Sequence, residues 1–364
     1  MNNLTHIGLD VHKETIAVAT LRPGSADCDE RTIPNTPEAI RKLFARQPDP
    51  TVLRTCYEAG PTGHDTHRVI SSLGIACDVI APSLIPKRAG MRVKTDRIDT
   101  KHLARLHRAG ELASVRVPTP AEEAMRDLIR VREDLKSDRR VARQRLKSFL
   151  LRHGKRYPKP HADWSFRYGL WLVTQTFDEP AAQLAFDNLM AASSVRDAQL
   201  VAIDKEIEAA ALLPPLADPV ARLRAFRGIN TLSAATLVSE VCDFHRFGTA
   251  ASFMAFTGLI PSEYSSGATT RSGSITKTGN ANIRRVLVEA AWAYRYRPAV
   301  RNGLAKRQED QPPQVVAYSW AAQCRLNSTY RKIAARKHHN KAICAVAREL
   351  AGFIWGAMTD QMEG

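Results

Sequence analysis

Four carboxylates in the first third of the sequence have the positions that a divalent-cation site requires. Asp10 ends an apolar, β-type run, and Glu58 ends a second such run. Asp96 and Asp99 are three residues apart at the start of a helical segment, which brings both side chains to one face. Carboxylate oxygens suit Mg²⁺ or Mn²⁺, and such an ion neutralises a phosphodiester under attack. Each acid alone is more typical of a structural role, such as a helix cap, but the four together predict a metal-dependent phosphoryl-transfer site.

Serine hydroxyl groups and basic side chains occur close together in the last third of the sequence. Ser265 and Ser266 precede Gly267, and no acidic residue lies between Tyr264 and Val288. A serine hydroxyl is a weak nucleophile at its own pKa, so it needs a base, a metal ion or a strong phosphate clamp. No histidine lies nearby in the sequence to act as the base. The segment therefore fits either a nucleophile that the distant acidic site completes or a polar loop that only contacts phosphate.

The acids must be positioned by a region that alternates β-type and helical patterns. Two β-rich runs within residues 5–22 are separated by a polar turn, which predicts a hairpin. Helical spacing at residues 36–45 and 65–73 then alternates with apolar runs at residues 51–56 and 75–80. This alternation predicts a mixed α/β domain.

Helical patterns dominate the rest of the chain. Residues 121–153 carry apolar side chains at helical intervals without an internal glycine or proline. Residues 164–213 also have a helical pattern and end in a proline-rich linker, and residues 220–305 indicate a further, mostly helical unit. We therefore predict three domains, namely an α/β domain at residues 1–117, a helical linker and dimerisation arm at residues 118–219, and a C-terminal domain at residues 220–364.

The chain is strongly basic. Its 364 residues include 53 Lys and Arg against 37 Asp and Glu, a net charge of +16. Such a field attracts a polyanion, so nucleic acid is the leading partner class. Nine Lys or Arg and no acid lie within residues 139–159, whereas a merely solvated helix face normally carries mixed signs. Residues 221–237 have a helix-hairpin-helix-like pattern with Gly228 available to phosphate and Asn230 in place of the usual second glycine. A helix-turn-helix corner that serves only packing is the alternative. The predicted nucleic-acid contacts are Arg139, Arg140, Arg143, Lys147, Gly228, Arg271, Lys277, Arg284 and Arg285.

Several classes of protein are disfavoured. The six cysteines are scattered and form no Cys-x-x-Cys pair, so neither a structural zinc site nor a disulfide framework is expected. The first residues lack a signal-peptide pattern, and no run approaches the roughly 18 consecutive apolar residues of a membrane span. We expect a cytoplasmic protein without a membrane partner.

The order of these motifs resembles known proteins. The four acids resemble the DEDD tetrad of the RNase H-like fold in its RuvC-like form. Over nearly the whole chain, the sequence resembles transposases of the insertion-sequence one-ten family. The segments that carry this resemblance are Ile-Gly-Leu-Asp-Val-His-Lys, Tyr-Glu-Ala-Gly-Pro-Thr-Gly, Lys-Thr-Asp-Arg-Ile-Asp, Phe-Thr-Gly-Leu-Ile-Pro-Ser-Glu-Tyr-Ser-Ser-Gly and Ile-Thr-Lys-Thr-Gly-Asn-Ala-Asn-Ile-Arg-Arg. The resemblance implies an α/β RNase H-like (RuvC-like) N-terminal domain, a helical arm and a mostly α-helical C-terminal transposase domain.

The resemblance also implies roles for individual residues. Ser266 would attack DNA, with Ser265 as the alternative nucleophile. A structured guide RNA from the same element would select donor and target DNA, and the arm would support a homodimer or a tetramer. Because the acids and the serine are far apart in the sequence, their site would be composite, within one subunit or across two. The implied ligands of Mg²⁺, with Mn²⁺ as an alternative ion, are Asp10, Glu58, Asp96 and Asp99.

Three functions are therefore compatible with the sequence. The first is a DNA transposase or recombinase that forms a phosphoserine intermediate. The second is a RuvC-like nuclease in which metal-activated water cuts DNA and Ser266 only binds phosphate. The third is a non-catalytic nucleic-acid-binding protein whose acids are structural.

Overall fold

The chain folds into two compact units, Met1–Pro118 and Thr119–Gly364. The computed structural model describes residues 3–45, 49–82, 85–86, 96–159, 163–266 and 269–362. For residues 96–98, 264–266 and 269–272 the backbone alone is described. The proposed further division of the second unit near residue 219 stays a prediction.

Within the described residues, the first unit is built around a six-stranded mixed sheet. Its strands are β1 (Thr5–Val11), β2 (Thr15–Leu21), β3 (Cys28–Pro34), β4 (Leu53–Glu58), β5 (Ala76–Ile80) and β6 (Ser114–Val115). The order across the sheet is β3-β2-β1-β4-β5-β6. β1, β4 and β5 are parallel, whereas β2 is antiparallel to β1, β3 to β2, and β6 to β5.

Helices cover both faces of this sheet. They are α1 (Pro37–Phe44), α2 (Asp65–Ser72) and α3 (Asp96–Ala109), and a short 3₁₀ helix spans Pro50–Val52. Successive side chains of a strand point to opposite faces. Accordingly, Ile7, Leu9 and Tyr57 pack in one core with α1 and α2, whereas Cys56 packs against Leu103 of α3 on the other face.

The missing side chain of Gly8 lets α3 approach β1 closely. A Cβ atom at this position would lie 2.3 Å from the carbonyl oxygen of Thr100 and 2.9 Å from the backbone nitrogen of Ala104. Because the interior of a protein is close-packed, any side chain here would displace the helix. The contact thereby places the first turns of α3 over the centre of the sheet.

The second unit begins with long helices. They are α4 (Pro120–Arg152), α5 (Phe166–Val173) and α6 (Pro180–Ala210). α4 starts with a capping box at Thr119. Ion pairs join Arg132 to Asp204 and Arg143 to Asp197, so α6 runs antiparallel to α4.

The remaining elements surround one large core. They are α7 (Ala217–Arg224), α8 (Thr231–Val241), α9 (Ala250–Phe256), β7 (Pro261–Ser266), β8 (Thr269–Ile275), α10 (Ala281–Ala291), α11 (Asn302–Gln308), α12 (Pro313–Ala334) and α13 (His339–Met358), with a 3₁₀ helix at Trp292–Arg295. Ile129 of α4 and Ile207 of α6 share this core with Leu237, Leu287 and Leu350. The ends of the long helices are therefore integrated into the C-terminal helices.

The fold class expected from the sequence is confirmed as a mixed α/β sheet region followed by a mostly helical region. The pattern at residues 164–213 forms two helices, since residues 174–179 separate α5 from α6. The expected loop after residue 260 is instead the β7–β8 hairpin, whose backbone hydrogen bonds form without an apolar pattern. No helix in the described part of the chain is long and apolar enough to cross a membrane.

Candidate active site

Asp10 and Glu58 lie next to each other at the carboxyl ends of two parallel strands. The β1–β4 ladder pairs Gly8 with Cys56, so the residues two positions later, Asp10 and Glu58, are level. Both belong to the sheet face that α3 covers, because Gly8 and Cys56 contact that helix. The parallel register thus brings together two acids that are 48 positions apart (58 − 10).

α3 adds a third acid to this pair. Asp99 precedes Thr100, whose carbonyl group lies against Gly8. Asp10, Glu58 and Asp99 line one open cleft of about 860 Å³, and all three side chains are half-buried. The other lining residues are Val11, His12, Lys13, Asn35, Ala59, Gly60, Pro61 and Thr62. Three of the four acids singled out in the sequence therefore share a single cleft.

A histidine in this cleft was not singled out from the sequence. Nε2 of His12 lies 3.3 Å from Oδ2 of Asp10. Nδ2 of Asn35 donates a hydrogen bond to the carbonyl oxygen of His12 at 2.8 Å, which holds the β1–β2 turn against the end of β3. The sequence did carry a signal for His12, because this histidine lies only two residues after Asp10, in the turn between two strands.

The chemistry of the cleft suits a hard divalent cation, because its anionic donors are carboxylate oxygens. The side chain of Asp96 lies outside the described residues, although its backbone begins α3. Among the described side chains, no three His, Cys, Asp or Glu are close enough to hold one metal ion together. Asp10, Glu58 and Asp99 have the donor type that such an ion requires and line a common cleft, but the three side chains as described are too far apart to hold one ion together.

A separate polar cluster ties α3 to the opposite end of the sheet. Nδ1 of His6 lies 3.3 Å from Nδ1 of His107, and Nε2 of His107 lies 3.0 Å from Oδ2 of Asp78. Burial, followed by the positive charges of His107, Arg108 and Arg54, lowers the pKa of His6 to about 4. The hydrogen bond from His107 lowers the pKa of Asp78, against the effect of burial. His6 is therefore neutral at neutral pH, and the cluster has a structural role away from the cleft.

The serines lie on the β7–β8 hairpin of the second unit. Ser266 pairs with Thr269 as the last pair before the turn, and Ser265 belongs to the preceding pair. Residues 267–268 lie outside the described residues, as do the side chains of Ser265, Ser266 and Arg271. The backbone therefore places both serines at the end of a two-stranded ribbon.

A buried carboxylate anchors the segment that follows this ribbon. The Glu240 side chain of α8 is only 1% exposed and lies 3.4 Å from Arg130 of α4. It accepts hydrogen bonds from Nδ2 of Asn280 at 2.6 Å and from Nδ2 of Asn282 at 3.0 Å. Burial would raise the pKa of Glu240, but the bonds from Asn282, Arg130 and Asn280 outweigh it and lower the pKa. Glu240 thus joins α4, α8 and the start of α10. It was not singled out from the sequence, where the available signal was a single acid within an apolar helical run.

The predicted nucleic-acid contacts on α4 have acidic neighbours. Arg139 and Arg143 lie 3.5 and 2.8 Å from Asp197 of α6. Lys147 forms an ion pair with Asp163. Residues 139–159 contain no acid, but in the folded protein carboxylates from α6 and from the segment before α5 lie beside their basic side chains.

The other predicted contacts have varied surroundings. Arg285 lies 2.9 Å from Glu133, and Arg284 donates to the carbonyl oxygens of Thr257 and Thr278 at 3.1 Å. Arg140 and Lys277 are exposed. The nucleic-acid contacts of these residues, and of those on α4, stay predictions.

Gly228 has a packing function in the second unit. Its φ is +85°, and a Cβ atom would lie 2.5 Å from the carbonyl oxygen of Ala290. Asn230, which replaces the second glycine of the expected turn, has extended backbone and caps α8 by accepting a hydrogen bond from the Ser233 amide. The turn is thus held against α10, and a phosphate contact at Gly228 stays a prediction.

Comparison with known proteins defines the class of protein to which the two units belong. A family model described as a transposase matches residues 7–154, which include Asp10, Glu58, Asp96 and Asp99. A second model, described as the transposase IS116/IS110/IS902 family, matches residues 220–304, which include the β7–β8 hairpin. The first matched region thus contains the four acids, and the second contains the hairpin that carries Ser265 and Ser266.

Relatives match over most of their length. The protein y4qE of Sinorhizobium fredii, whose name describes it as a transposase, is 44% identical over 82% of this chain and 74% of its own. The transposase for insertion sequence element IS1533 of Leptospira borgpetersenii is 32% identical over 92% of this chain and 97% of its own. The transposase for insertion sequence element IS1328 of Yersinia enterocolitica is 28% identical over 99% of this chain and 98% of its own. The chain belongs to the IS116/IS110/IS902 family of transposases, which confirms the family resemblance.

Proposed function

We propose that this transposase cuts and rejoins DNA through a phosphoserine intermediate at a Mg²⁺-dependent DEDD site. The observation that carries the proposal is the single cleft that Asp10, Glu58 and Asp99 line in a chain of this family. Asp96, at the start of the same helix, is the fourth ligand in this proposal. The mixed sheet with helices on both faces supports an RNase H-like, RuvC-like assignment of the first unit.

The proposed chemistry is two successive phosphoryl transfers. Bound in the cleft, Mg²⁺ or Mn²⁺ supplies positive charge that neutralises the phosphodiester under attack. Oγ of Ser266 forms a bond to phosphorus as the bond from phosphorus to the leaving deoxyribose oxygen breaks, and the hydroxyl proton passes to that oxygen or to solvent. A deoxyribose hydroxyl of the other DNA then attacks the phosphoserine and releases the serine. Because the phosphoester bond is conserved, no ATP is needed.

The proposed partners are donor DNA, target DNA and a structured guide RNA from the same element. The net charge of +16 supports polyanionic partners. A homodimer or tetramer, joined through the helical arm, is the proposed assembly. In such a system base pairing reads the sequence, while the protein reads the shape and the backbone of the duplex.

One observation favours a second candidate function, a RuvC-like nuclease that uses activated water. The imidazole of His12 lies beside Asp10 in the cleft, where it has the reach of a general base for a water molecule. In that case Ser266 binds phosphate and forms no covalent bond.

The decisive experiment detects DNA that stays attached to the protein after denaturation. Labelled DNA carrying the ends of the element is incubated with the full chain, RNA transcribed from the element and Mg²⁺, and the products are resolved under denaturing conditions. We expect a protein-linked product that Ser266→Ala abolishes and that the matched variant Ser265→Ala retains. Asp10→Asn, Glu58→Gln and chelation of the metal should also abolish it.

Other outcomes identify the alternatives. Free nicked ends that persist in Ser266→Ala and disappear in His12→Gln and Asp10→Asn would establish the nuclease. Binding without any cleavage, unchanged in Asp10→Asn, would establish a non-catalytic binding protein. Attachment lost in Ser265→Ala and kept in Ser266→Ala would move the nucleophile by one residue.

A further inference from the structure

A second cleft in the C-terminal unit has a lining that the candidate active site does not use. It has a volume of about 770 Å³ and lies where the end of α12 and the start of α13 meet the foot of the β7–β8 hairpin. Pro261, Gly273 and Ser274 contribute the hairpin side of its lining. We name it the α12–α13 cleft.

Cations dominate the lining of the α12–α13 cleft. Five of its lining residues are basic, and no carboxylate is among the described lining residues. The five are Lys332, Arg336, Lys337, Lys341 and Arg348. The first four are exposed and Arg348 is half-buried. The cleft therefore presents a concentrated positive charge to solvent.

These cations differ from those on α4 in their surroundings. Within the described chain, none of the five forms an ion pair with a carboxylate, whereas Arg139, Arg143 and Lys147 all do. The nearby acid in the sequence, Glu349, is held elsewhere by Arg325 and Thr329. Like charges gathered without acidic neighbours repel one another, so the arrangement is suited to an anion that supplies the missing charge.

The spacing of the basic side chains along α13 also suits an extended anion. Lys341 and Arg348 are seven residues apart on α13 and therefore lie on one helix face. Cys344 and Ala345 lie between them along α13 and also line the cleft, so short side chains separate these two long basic ones. A polymer with regularly spaced phosphates can contact several basic side chains that are spaced along a lining in this way.

We propose that the α12–α13 cleft binds the sugar-phosphate backbone of DNA and guides it towards the β7–β8 hairpin. The same strands line the cleft at their base and carry Ser265 and Ser266 at their other end. Five residue steps separate Pro261 from Ser266, which corresponds to about 17 Å of strand, or about five phosphates along one DNA strand. DNA is the nucleic acid that must reach these serines, a point that rests on the proposed function.

The test compares two double variants of the full chain that lose the same charge. Arg336→Gln with Lys341→Gln removes two exposed cations from the cleft. Arg41→Gln with Arg196→Gln removes two cations that are ion-paired outside it, to Glu38 and Asp138. Binding to a short labelled DNA duplex of arbitrary sequence is measured at several salt concentrations, and thermal unfolding confirms that both variants fold. This binding assay requires no catalysis, so it is independent of the serine chemistry.

The two double variants should differ clearly in their affinity for DNA and in its dependence on salt. For the cleft variant we expect a loss of affinity of about tenfold near 0.1 M salt and a decrease of about two in the slope of log K against log salt. The ion-paired variant should retain the slope of the unmodified protein. Equal behaviour of the two variants would overturn the proposal, as would a loss confined to an RNA duplex of the same length, which would assign the cleft to RNA.

Discussion

The Cα atom of Gly8 lies so close to α3 that a Cβ atom on it would be 2.3 Å from the carbonyl oxygen of Thr100. This contact links the strand that carries Asp10 to the helix that carries Asp99. A carbonyl oxygen of a helix cannot move away unless the helix itself moves. The distance between the two acids therefore depends on a residue that has no side chain.

Gly8→Ala should lower both stability and activity. The added methyl group must push α3 away from β1, and such overpacking costs about 1–3 kcal/mol of the free energy of unfolding. We expect loss of the protein-linked DNA product at temperatures where the variant is still folded. As a control, Gly169→Ala adds a methyl group to a position of α5 with no atom within 4 Å, and should leave activity unchanged. Normal activity of a stable Gly8→Ala protein would contradict the role of this contact.

Glu240→Ala should destabilise the second unit. The substitution leaves Asn280, Asn282 and Arg130 without their buried acceptor, which costs about 3 kcal/mol. Urea unfolding measures this loss, and Glu208→Ala, at an exposed position of α6, is the control with little expected change.

The Glu240 contribution should also depend on pH. Because the pKa of Glu240 is lowered in the folded state, its stabilisation is complete above the pKa of the unfolded chain. It is lost as the pH falls through the lower pKa of the folded protein. The difference in stability between the native chain and Glu240→Ala should therefore shrink in acid, and a constant difference would count against the buried carboxylate.

His6 should make the stability of the first unit depend on pH in a range above that of the Glu240 effect. Its pKa is lowered to about 4 from an ordinary value of 6.5, so the unfolded chain binds the proton more readily than the folded one. Stability should fall as the pH decreases from 6.5 towards about 4. His6→Gln, which cannot take up a proton, should weaken this dependence in thermal unfolding followed across that range.

The cysteines provide a test of packing in the sheet. Burial raises the pKa of Cys77 to about 12 and raises that of Cys56 as well, so both thiols stay protonated and react slowly in the folded protein. Cys324 is exposed. Alkylation by iodoacetamide, followed by peptide mass spectrometry, should modify Cys324 first, the half-buried Cys77 more slowly, and Cys56 only after unfolding. Early labelling of Cys56 would show that α3 does not cover β4 as described.

Several elements of both units follow from local patterns in the sequence. The apolar runs that end at Asp10 and Glu58 became β1 and β4, and the long charged pattern became α4. β3 escaped sequence inspection because it is a largely exposed edge strand, in which four successive exposed residues obscure any alternation. The β7–β8 hairpin was not recognised in the sequence because its mostly polar strands lack the alternation of apolar and polar residues that predicts a strand.

The candidate site was predictable to the extent that it depends on strand ends. Acids that follow apolar runs predict a cluster, since parallel strands place their carboxyl ends at one edge of a sheet. The contribution of His12 was not predictable, because it depends on the turn between β1 and β2 and on the bond from Asn35.

The sequence by itself determined the class of fold, the family, the basic charge and the acids that lie at the strand ends. These properties depend on composition or on neighbours within a few residues. The tertiary structure alone decided which charges are compensated, because Arg143 and Asp197 are 54 positions apart and meet only when α6 packs along α4. It likewise decided that the cations from the end of α12 to α13 line one cleft, whose described lining residues include no acid. Coulombic interactions depend on distance in space, and that distance is set by helix packing and not by order along the chain.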